Sequence, residues 1–259
     1  MARRPTAAVI IPVYNAAETL DRTIESAVTS LRQYTDVEQQ PLDAEIVVVD
    51  DVSTDGSADI ARAWAKHDPA VRLVTYPTNR GPGFARNEGV RQSFGNFLFF
   101  LDSDDVIYPN HISLCLNALL ADDSVGYVFT RMKIDMPMHP DWPPSLDESC
   151  PINFCVRRVW HDMILGFAEE PDFRTYRTED TLYRLCLRDL VKHKKLDIFT
   201  CEQFVSPGNA LDRQRAKFGM SMKDWNNAGL DDGFVLTPQM DVVVKARLDR
   251  VAKLLGAKT

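Results

Sequence analysis

Glycine is scarce, 12 in 259 residues, and its one close pair, Gly81-Pro82-Gly83, has Arg86 where a dinucleotide fingerprint would place a third glycine. That pair also follows the wrong strand for such a site, so an NAD-type reading is discarded. Cysteine is sparse as well: Cys115, Cys150, Cys155, Cys186 and Cys201 are odd in number and contain no C-x-x-C pair. This excludes a disulfide framework and a zinc ribbon, and reduced, inert thiols are expected. No apolar run approaches the roughly 18 residues of a membrane span, the strongest being Phe97 to Leu101. The early run Ala7 to Val13 is short, interrupted by Pro12 and lacks a cleavage pattern, so it reads as a strand, not a signal peptide. A basic excess is missing too: 30 Lys+Arg against 37 Asp+Glu leave a net charge of −7, which argues against a nucleic-acid binder. A soluble, cytoplasmic chain is expected.

What is present is globular: 45% hydrophobic and 26% charged residues, at a length that allows one large core with an appendage. The first half alternates β-rich apolar runs with helical periodicity, the pattern of a mostly parallel sheet covered by helices. Strands are read at Ala7 to Val13, Glu45 to Val49, Val71 to Thr75, Asn96 to Leu101 and Val125 to Thr130. Helices are read from Ala17 to Leu31, around Ile60 to Ala65, from Ala85 to Ser93 and across Ile112 to Leu120, each with one apolar stripe. Five prolines between Pro137 and Pro151 argue for an irregular, functional loop. Beyond it lie Asn153 to Val156, a short helix near Val159 to Leu165 and a helix from about Thr181 to His193. Met240 to Leu255 reads as an amphipathic helix that could dock on the core, contact a partner or touch a membrane, so peripheral contact at the inner membrane face is left open. The division expected is a nucleotide-sized donor region at 1–135, a second region at 136–215 and a C-terminal extension at 216–259.

In open α/β sheets ligands bind outside the carboxyl ends of the strands, where neighbouring loops splay apart. Three such ends are polar: Pro12-Val13-Tyr14-Asn15, Asp50-Asp51-Val52-Ser53-Thr54-Asp55-Gly56 and Asp102-Ser103-Asp104-Asp105. Each alone could be turn or cap chemistry; the conjunction points to a site. In extended chain Asp102 and Asp104 would project the same way, Ser103 the other. Two convergent carboxylates suit a hard divalent cation that completes its shell with water and phosphate oxygens. Arg80 and Arg86 are the candidate cations for a diphosphate.

These residues resemble family 2 glycosyltransferases of the GT-A fold, in order and in spacing. The resemblance is carried by Val9-Ile10-Ile11-Pro12-Val13-Tyr14-Asn15, Val48-Val49-Asp50-Asp51-x-Ser53-x-Asp55-Gly56, Asn79-Arg80-Gly81 with Ala85-Arg86-Asn87, and Leu101-Asp102-Ser103-Asp104-Asp105. Arg158-Val159-Trp160, Gly166-Phe167 and Glu179-Asp180 are similar to the family's acceptor-side segment. The family resemblance implies a doubly wound α/β sheet and an inverting transfer of a sugar from a nucleotide diphosphate, usually UDP-linked, to an acceptor hydroxyl. The acceptor would be a glycan or glycolipid, with Mn²⁺ or Mg²⁺ as the metal. It further implies Pro12 and Tyr14 lining the nucleoside pocket, Asp51 accepting from the base, Asp102 near the ribose and the metal-diphosphate, and Asp104 on the metal with Asp105 as the competing ligand. Asp180, or else Glu179, would be the base, although Thr178-Glu179-Asp180-Thr181 also reads as a helix cap.

The family often carries a histidine before a Gly-Asn or Gly-Ser pair, and here Ser206 stands near that place, before Pro207-Gly208-Asn209. Arg213 or Arg215 could supply the diphosphate grip instead. Two other readings remain: a nucleotide-sugar-binding domain without turnover, and a haloacid-dehalogenase-like phosphatase using Asp102-x-Asp104, with Thr130 as its second motif and Asp231-Asp232 further on. Trp142, Trp160 and Trp225 could stack on sugar faces or belong to the core.

Overall fold

The computed structural model describes residues 5–38, 42–176, 178–206, 209–228 and 237–256. One mixed sheet of eight strands organises them. In chain order the elements are β1 (Thr6–Val13), α1 (Leu20–Glu38), β2 (Asp43–Asp50), α2 (Ser57–His67), β3 (Val71–Thr75), α3 (Pro82–Gln92), β4 (Phe97–Phe100), β5 (Val106–Ile107), α4 (His111–Leu120) and β6 (Tyr127–Ile134). There follow α5 (Trp142–Ser149), β7 (Phe154–Arg157), α6 (Arg158–Met163), α7 (Pro171–Tyr176), α8 (Glu179–Leu190), β8 (His193–Gln203), α9 (Ala210–Arg213), α10 (Arg215–Phe218), α11 (Met222–Ala228) and α12 (Pro238–Leu254). The strand order is β3-β2-β1-β4-β7-β6-β8-β5, with β3, β2, β1 and β4 parallel and β7 antiparallel between β4 and β6. Two successive antiparallel pairings restore direction, so β6 and its parallel partner β8 run the same way as β1 and β4.

The central strands are apolar on both faces because helices cover both. Along β1, Ala7, Val9, Ile11 and Val13 enter a core shared with α1, α2 and α4, whereas Ala8 and Ile10 enter the opposite core with α3, α8 and α12. That is the strand's two-residue period expressed as two layers. The α3 helix lies close to the sheet because Gly89 faces Ile10, whose Cγ2 would be 2.4 Å from an added Cβ.

Two expectations are corrected. The proline-rich stretch is not irregular: Trp142–Ser149 is helical, with Pro143 and Pro144 in its first turn, where the missing amide hydrogens would have had no partner anyway. Strands β5 and β8 were not foreseen; β8 is largely exposed over His193–Phe199 and carries little apolar alternation. The amphipathic C-terminal helix docks on the core: Met240 and Val251 are buried beside α8, and Arg247 donates to the carbonyls of Ile164, Gly166 and Phe167. No described helix is long and apolar enough to cross a membrane. Cys115, Cys155, Cys186 and Cys201 are buried free thiols, Cys150 a partly exposed one. Trp142 and Trp225 belong to a third apolar cluster with Met136, Leu211 and Phe218, and Trp160 packs against the α8 side of the sheet.

Candidate active site

Because β2, β1 and β4 are adjacent and parallel, their carboxyl ends open on one side of the sheet, and Gln203 at the end of β8 comes to the same side. The amino end of α8 closes the opposite wall. Between them lies a cavity of about 400 Å³ whose lining includes Pro12, Tyr14, Asp51, Arg86, Asp102, Asp104, Glu179 and Asp180. Eight of the ten site residues expected from sequence therefore meet in one place. Arg80 and Asp105 do not line it.

The wall at the carboxyl ends of β1 and β2 is held by backbone groups. Asp51 is 3% exposed, and its two carboxylate oxygens accept from the amides of Arg80 and Gly81 at 2.7 Å each. Asn79 Nδ2 adds a bond to the Asp51 carbonyl. Gly81 sits at φ +87°, a conformation that costs glycine little and other residues much. Asn15, at φ 52°, accepts from the Thr54 amide at 2.8 Å and donates its own to Ser53 Oγ, locking the β1 end to the β2 end. Asp55 is spent on the turn, receiving the amides of Ala17 and Ser57. Tyr14 stands free at the mouth, 56% exposed. The Arg80 guanidinium stacks on Phe84, 3.6 Å from the ring centre, and lies 3.8 Å from Glu169, so it is directed away from the cavity where a phosphate cation was expected.

Arg86 is buried and forks between two carboxylates, Nη1 to Glu179 Oε1 at 2.8 Å and Nη2 to Asp102 Oδ1 at 2.7 Å. Such charge-assisted bonds are geometrically exacting. Each terminal nitrogen thereby carries one ion pair and Nε is buried without a partner, so Arg86 braces the end of β4 against α8 from within the cavity lining. The next residue extends the brace: Asn87 donates to the Phe167 carbonyl and to Glu169, and accepts the Phe167 amide.

Asp180 is not the cap of α8. Thr178 occupies that position without a side-chain cap bond, and Asp180, in the first turn, accepts the Thr181 amide at 2.7 Å. Burial, reinforced by the charge of Glu179 and opposed by that of Arg86, pushes the Asp180 carboxyl up to about 7. A carboxylate so shifted is a far better proton acceptor near neutral pH than an exposed aspartate.

Asp102 to Asp105 form a turn, closed by the Asp105 amide on the Asp102 carbonyl at 3.1 Å, not the extended segment assumed from the two-residue spacing. Asp102 and Asp104 nevertheless both reach the cavity. Burial and the charge of Asp102 raise the Asp104 carboxyl above its ordinary range; its neutral contacts, Ser206 Oγ and Asn209 Nδ2, are each 3.4 Å away. Ser206 thus occupies the neighbourhood where the family histidine was sought. Asp104, with only these long neutral contacts, beside Asp102, one of whose oxygens is held by Arg86, fits a hard divalent cation that takes its other oxygens from phosphate and water. Among the described residues no group of three or more His, Cys, Asp or Glu is placed to hold a metal by itself. Asp105 is 1% exposed and takes the Phe204 amide on Oδ1, while its Oδ2 is buried without a hydrogen-bond partner; it does not line the cavity.

Arg174, Gln203, Asn209 and Leu211 also line the cavity and were missed. Arg174 donates through Nη1 and Nη2 to the Asn79 carbonyl and side-chain oxygen, and it lies within a short polar helix that carries no sequence signal. Arg215 pairs with Asp212 and does not line the cavity. The phosphatase reading loses its second motif, because Thr130 is fully buried and bonded to Asn153 and Thr200, away from Asp102. Asp231-Asp232 and Pro207-Gly208 lie outside the described residues.

The chain is similar to several known proteins. The succinoglycan biosynthesis protein ExoO of Rhizobium meliloti is 38% identical over 108 residues, 42% of this chain and 28% of its own length. Staphylococcus aureus TarS, solved with UDP-GlcNAc, superposes with a TM-score of 0.64 at 19% identity over 96% of this chain and 73% of that one. The mannosyltransferase PcManGT of Pyrobaculum calidifontis, solved with GDP-Man and Mn²⁺, superposes with a TM-score of 0.63 at 21% identity over 99% and 75%. At these identities the structural likeness establishes a shared GT-A fold. The chain spans between about a quarter and a third of the length of the curated relatives it matches first. The model of "Glycosyl transferase family 2" matches residues 8–186, a stretch containing the three polar strand ends and the Glu179-Asp180 pair, and on that match the chain belongs to glycosyl transferase family 2.

Proposed function

We propose that the chain transfers a glycosyl group, with inversion, from a nucleotide diphosphate sugar to a hydroxyl of a glycan or lipid-linked acceptor. UDP is the first donor nucleotide to test. The observation that carries this reading is that Asp180, with its raised proton affinity, lines the same cavity as the Asp102 and Asp104 pair and the nucleoside-side residues Pro12, Tyr14 and Asp51. Residues 1–135 would supply the donor wall and 136–215 the acceptor wall.

In the reaction, Asp180 takes the proton of the acceptor hydroxyl as that oxygen bonds to the anomeric carbon. The bond from this carbon to the diphosphate oxygen breaks, and its electron pair leaves with the nucleotide. One displacement from the face opposite the leaving group inverts the centre, so a single base suffices. Asp104, with Asp102, would hold Mn²⁺ or Mg²⁺, which when bound supplies charge neutralisation to the leaving diphosphate. Arg86 holds Asp102 and α8 at fixed separation, keeping base and leaving group in line.

Calorimetric titration with UDP, with and without Mn²⁺, tests the donor half. Metal-dependent binding that collapses in Asp104→Asn, followed by transfer from a UDP-sugar panel, is the expected result. Donor binding with no transfer or hydrolysis, unaffected by Asp180→Asn, would favour a binding domain without turnover, the reading to which Ser206 in place of a histidine lends support.

A further inference from the structure

Helix α1 and the residue before it carry a second stripe beside the apolar one. Thr19, Thr23, Ser26 and Ser30 recur at the spacing of one helix face. Thr23 and Ser30 are fully buried, although a hydroxyl taken out of water is costly unless it finds a partner. The partners are backbone groups of the segment that follows β4. Thr19 Oγ1 donates to the Ser103 carbonyl at 2.8 Å, Arg22 Nη2 to the Asp104 carbonyl at 2.9 Å and Thr23 Oγ1 to the Asp105 carbonyl at 2.8 Å. Three successive carbonyls of the acidic turn are thus each taken by one of these side chains. A threonine within a helix can return its hydroxyl to the carbonyl four residues back. For Thr23 that carbonyl, of Thr19, is 3.3 Å away, farther than those of Asp105 and of Ser103, the latter at 3.0 Å. Further along, Ser26 Oγ accepts the Ile107 amide, and Ser30 Oγ donates to the Pro109 carbonyl and accepts the Ile112 amide. The Arg22 guanidinium also lies 3.9 Å from the ring centre of Phe204, whose amide donates to Asp105 Oδ1.

We propose that Thr19, Arg22 and Thr23 are positioning residues: they hold the Asp102–Asp105 turn in the shape in which Asp104, with Asp102, receives a divalent cation. The assignment rests on the metal reading above. Like charges on neighbouring carboxylates repel, and among the described residues the backbone closes this turn with one bond, from the Asp105 amide to the Asp102 carbonyl. Fixing the carbonyls of residues 103–105 to α1 opposes that repulsion and keeps Asp102 and Asp104 in the cavity lining. A site ordered before its cation arrives spends no binding free energy on being ordered. Groups that orient metal ligands from outside typically matter about 10- to 100-fold in metal affinity. Ser30 supplies an internal control, because it lies on the same stripe, is equally buried and bonds only beyond the acidic turn, at Pro109 and Ile112.

The test sets Thr23→Val, which keeps the branched shape and removes the hydroxyl, against Ser30→Ala. UDP binding is titrated at increasing Mn²⁺ in wild type, both variants, Arg22→Met and Thr23→Ser, with thermal unfolding measured for each. Amide hydrogen exchange of residues 102–107 is followed in the metal-free proteins. The Mn²⁺ concentration for half-maximal UDP binding is expected to rise about tenfold in Thr23→Val and in Arg22→Met, with faster exchange at the turn. Thr23→Ser keeps the hydroxyl and should stay within about twofold of wild type. Ser30→Ala should lower the unfolding temperature and leave metal requirement and turn exchange unchanged. An unaltered metal requirement or turn exchange in either Thr23→Val or Arg22→Met, or an equal change in Ser30→Ala, overturns the assignment while the metal reading stands. A wild type whose UDP binding ignores Mn²⁺ overturns both. Should Thr23→Val fail to fold, Arg22→Met decides alone, because Arg22 is exposed.

Discussion

The two walls of the cavity are built on opposite plans. At the carboxyl ends of β1 and β2, polar groups are satisfied by the protein itself: Asp51 by two backbone amides, Asn15 by Ser53 and Thr54, Asp55 by the turn it closes. At the start of α8 and the end of β8 they are left wanting: burial and the charge of Glu179 push the Asp180 carboxyl up to about 7, and Glu179 and Gln203 each have a side-chain oxygen buried without a partner. The first wall has its hydrogen-bonding capacity consumed in making shape, so it offers a rigid slot. The second is the wall that carries the base of the proposed transfer. Arg86 joins them.

The comparison breaks most severely at the base. Asp180→Asn removes the proton acceptor with little change in shape, and transfer is expected to fall by about 10²- to 10⁴-fold with nucleotide affinity retained, as read by initial rates beside calorimetry. In the wild type the base works only when ionised. Because its folded value lies near 7, log(kcat/KM) should decline as the pH drops through that region. A profile flat down to pH 5 would remove Asp180 from the role.

Cutting the brace comes next. Arg86→Met leaves the buried Glu179 uncompensated and should cost about 3–5 kcal/mol of stability, measurable by urea unfolding, together with most of the transfer activity. Glu179→Gln acts on the boundary between the walls more gently. Removing the adjacent negative charge favours ionised Asp180, so the acidic limb of the pH profile should move to lower pH even where the rate falls. A profile displaced upward would mean that Glu179 does not face the base.

The smallest effect separates the brace from burial as such. Arg184 is as buried as Arg86, at 5% exposure, but lies over the rings of Tyr127, Phe129 and Phe154, has no ion pair among the described residues and is lowered by desolvation. Replacing it with Met strands no opposite charge, so stability should change by no more than about 1 kcal/mol and transfer hardly at all. Equal damage from Arg86→Met and Arg184→Met would erase the distinction between a site charge and a packed one.

The strands that build the slot could be read directly from residue order. A short, nearly continuous apolar run that ends abruptly in a polar residue or Tyr marks a strand arriving at the sheet edge, and Ala7–Val13, Glu45–Val49 and Val71–Thr75 fall within or on β1, β2 and β3. The proline-rich segment misled because proline forbids helix interiors but not first turns, and Pro143 and Pro144 sit in one. Asp102 and Asp104 reached the cavity as expected through a turn that local spacing did not reveal. Arg174 and Gln203 carried no signal, since nothing local distinguishes a side chain that lines a cavity from one that meets water.

The sequence by itself determined the layered α/β fold, the three polar strand ends and the candidate acid pair, because hydrophobic period and strand-end chemistry are local properties. Only the tertiary structure decided what each charge does. It spent Arg86 on Glu179 and Asp102, turned Arg80 onto Phe84, sank Asp105 and left Glu179 Oε2 unpaired. Partnership and desolvation depend on which distant segments arrive together, and no single segment of the chain contains that information.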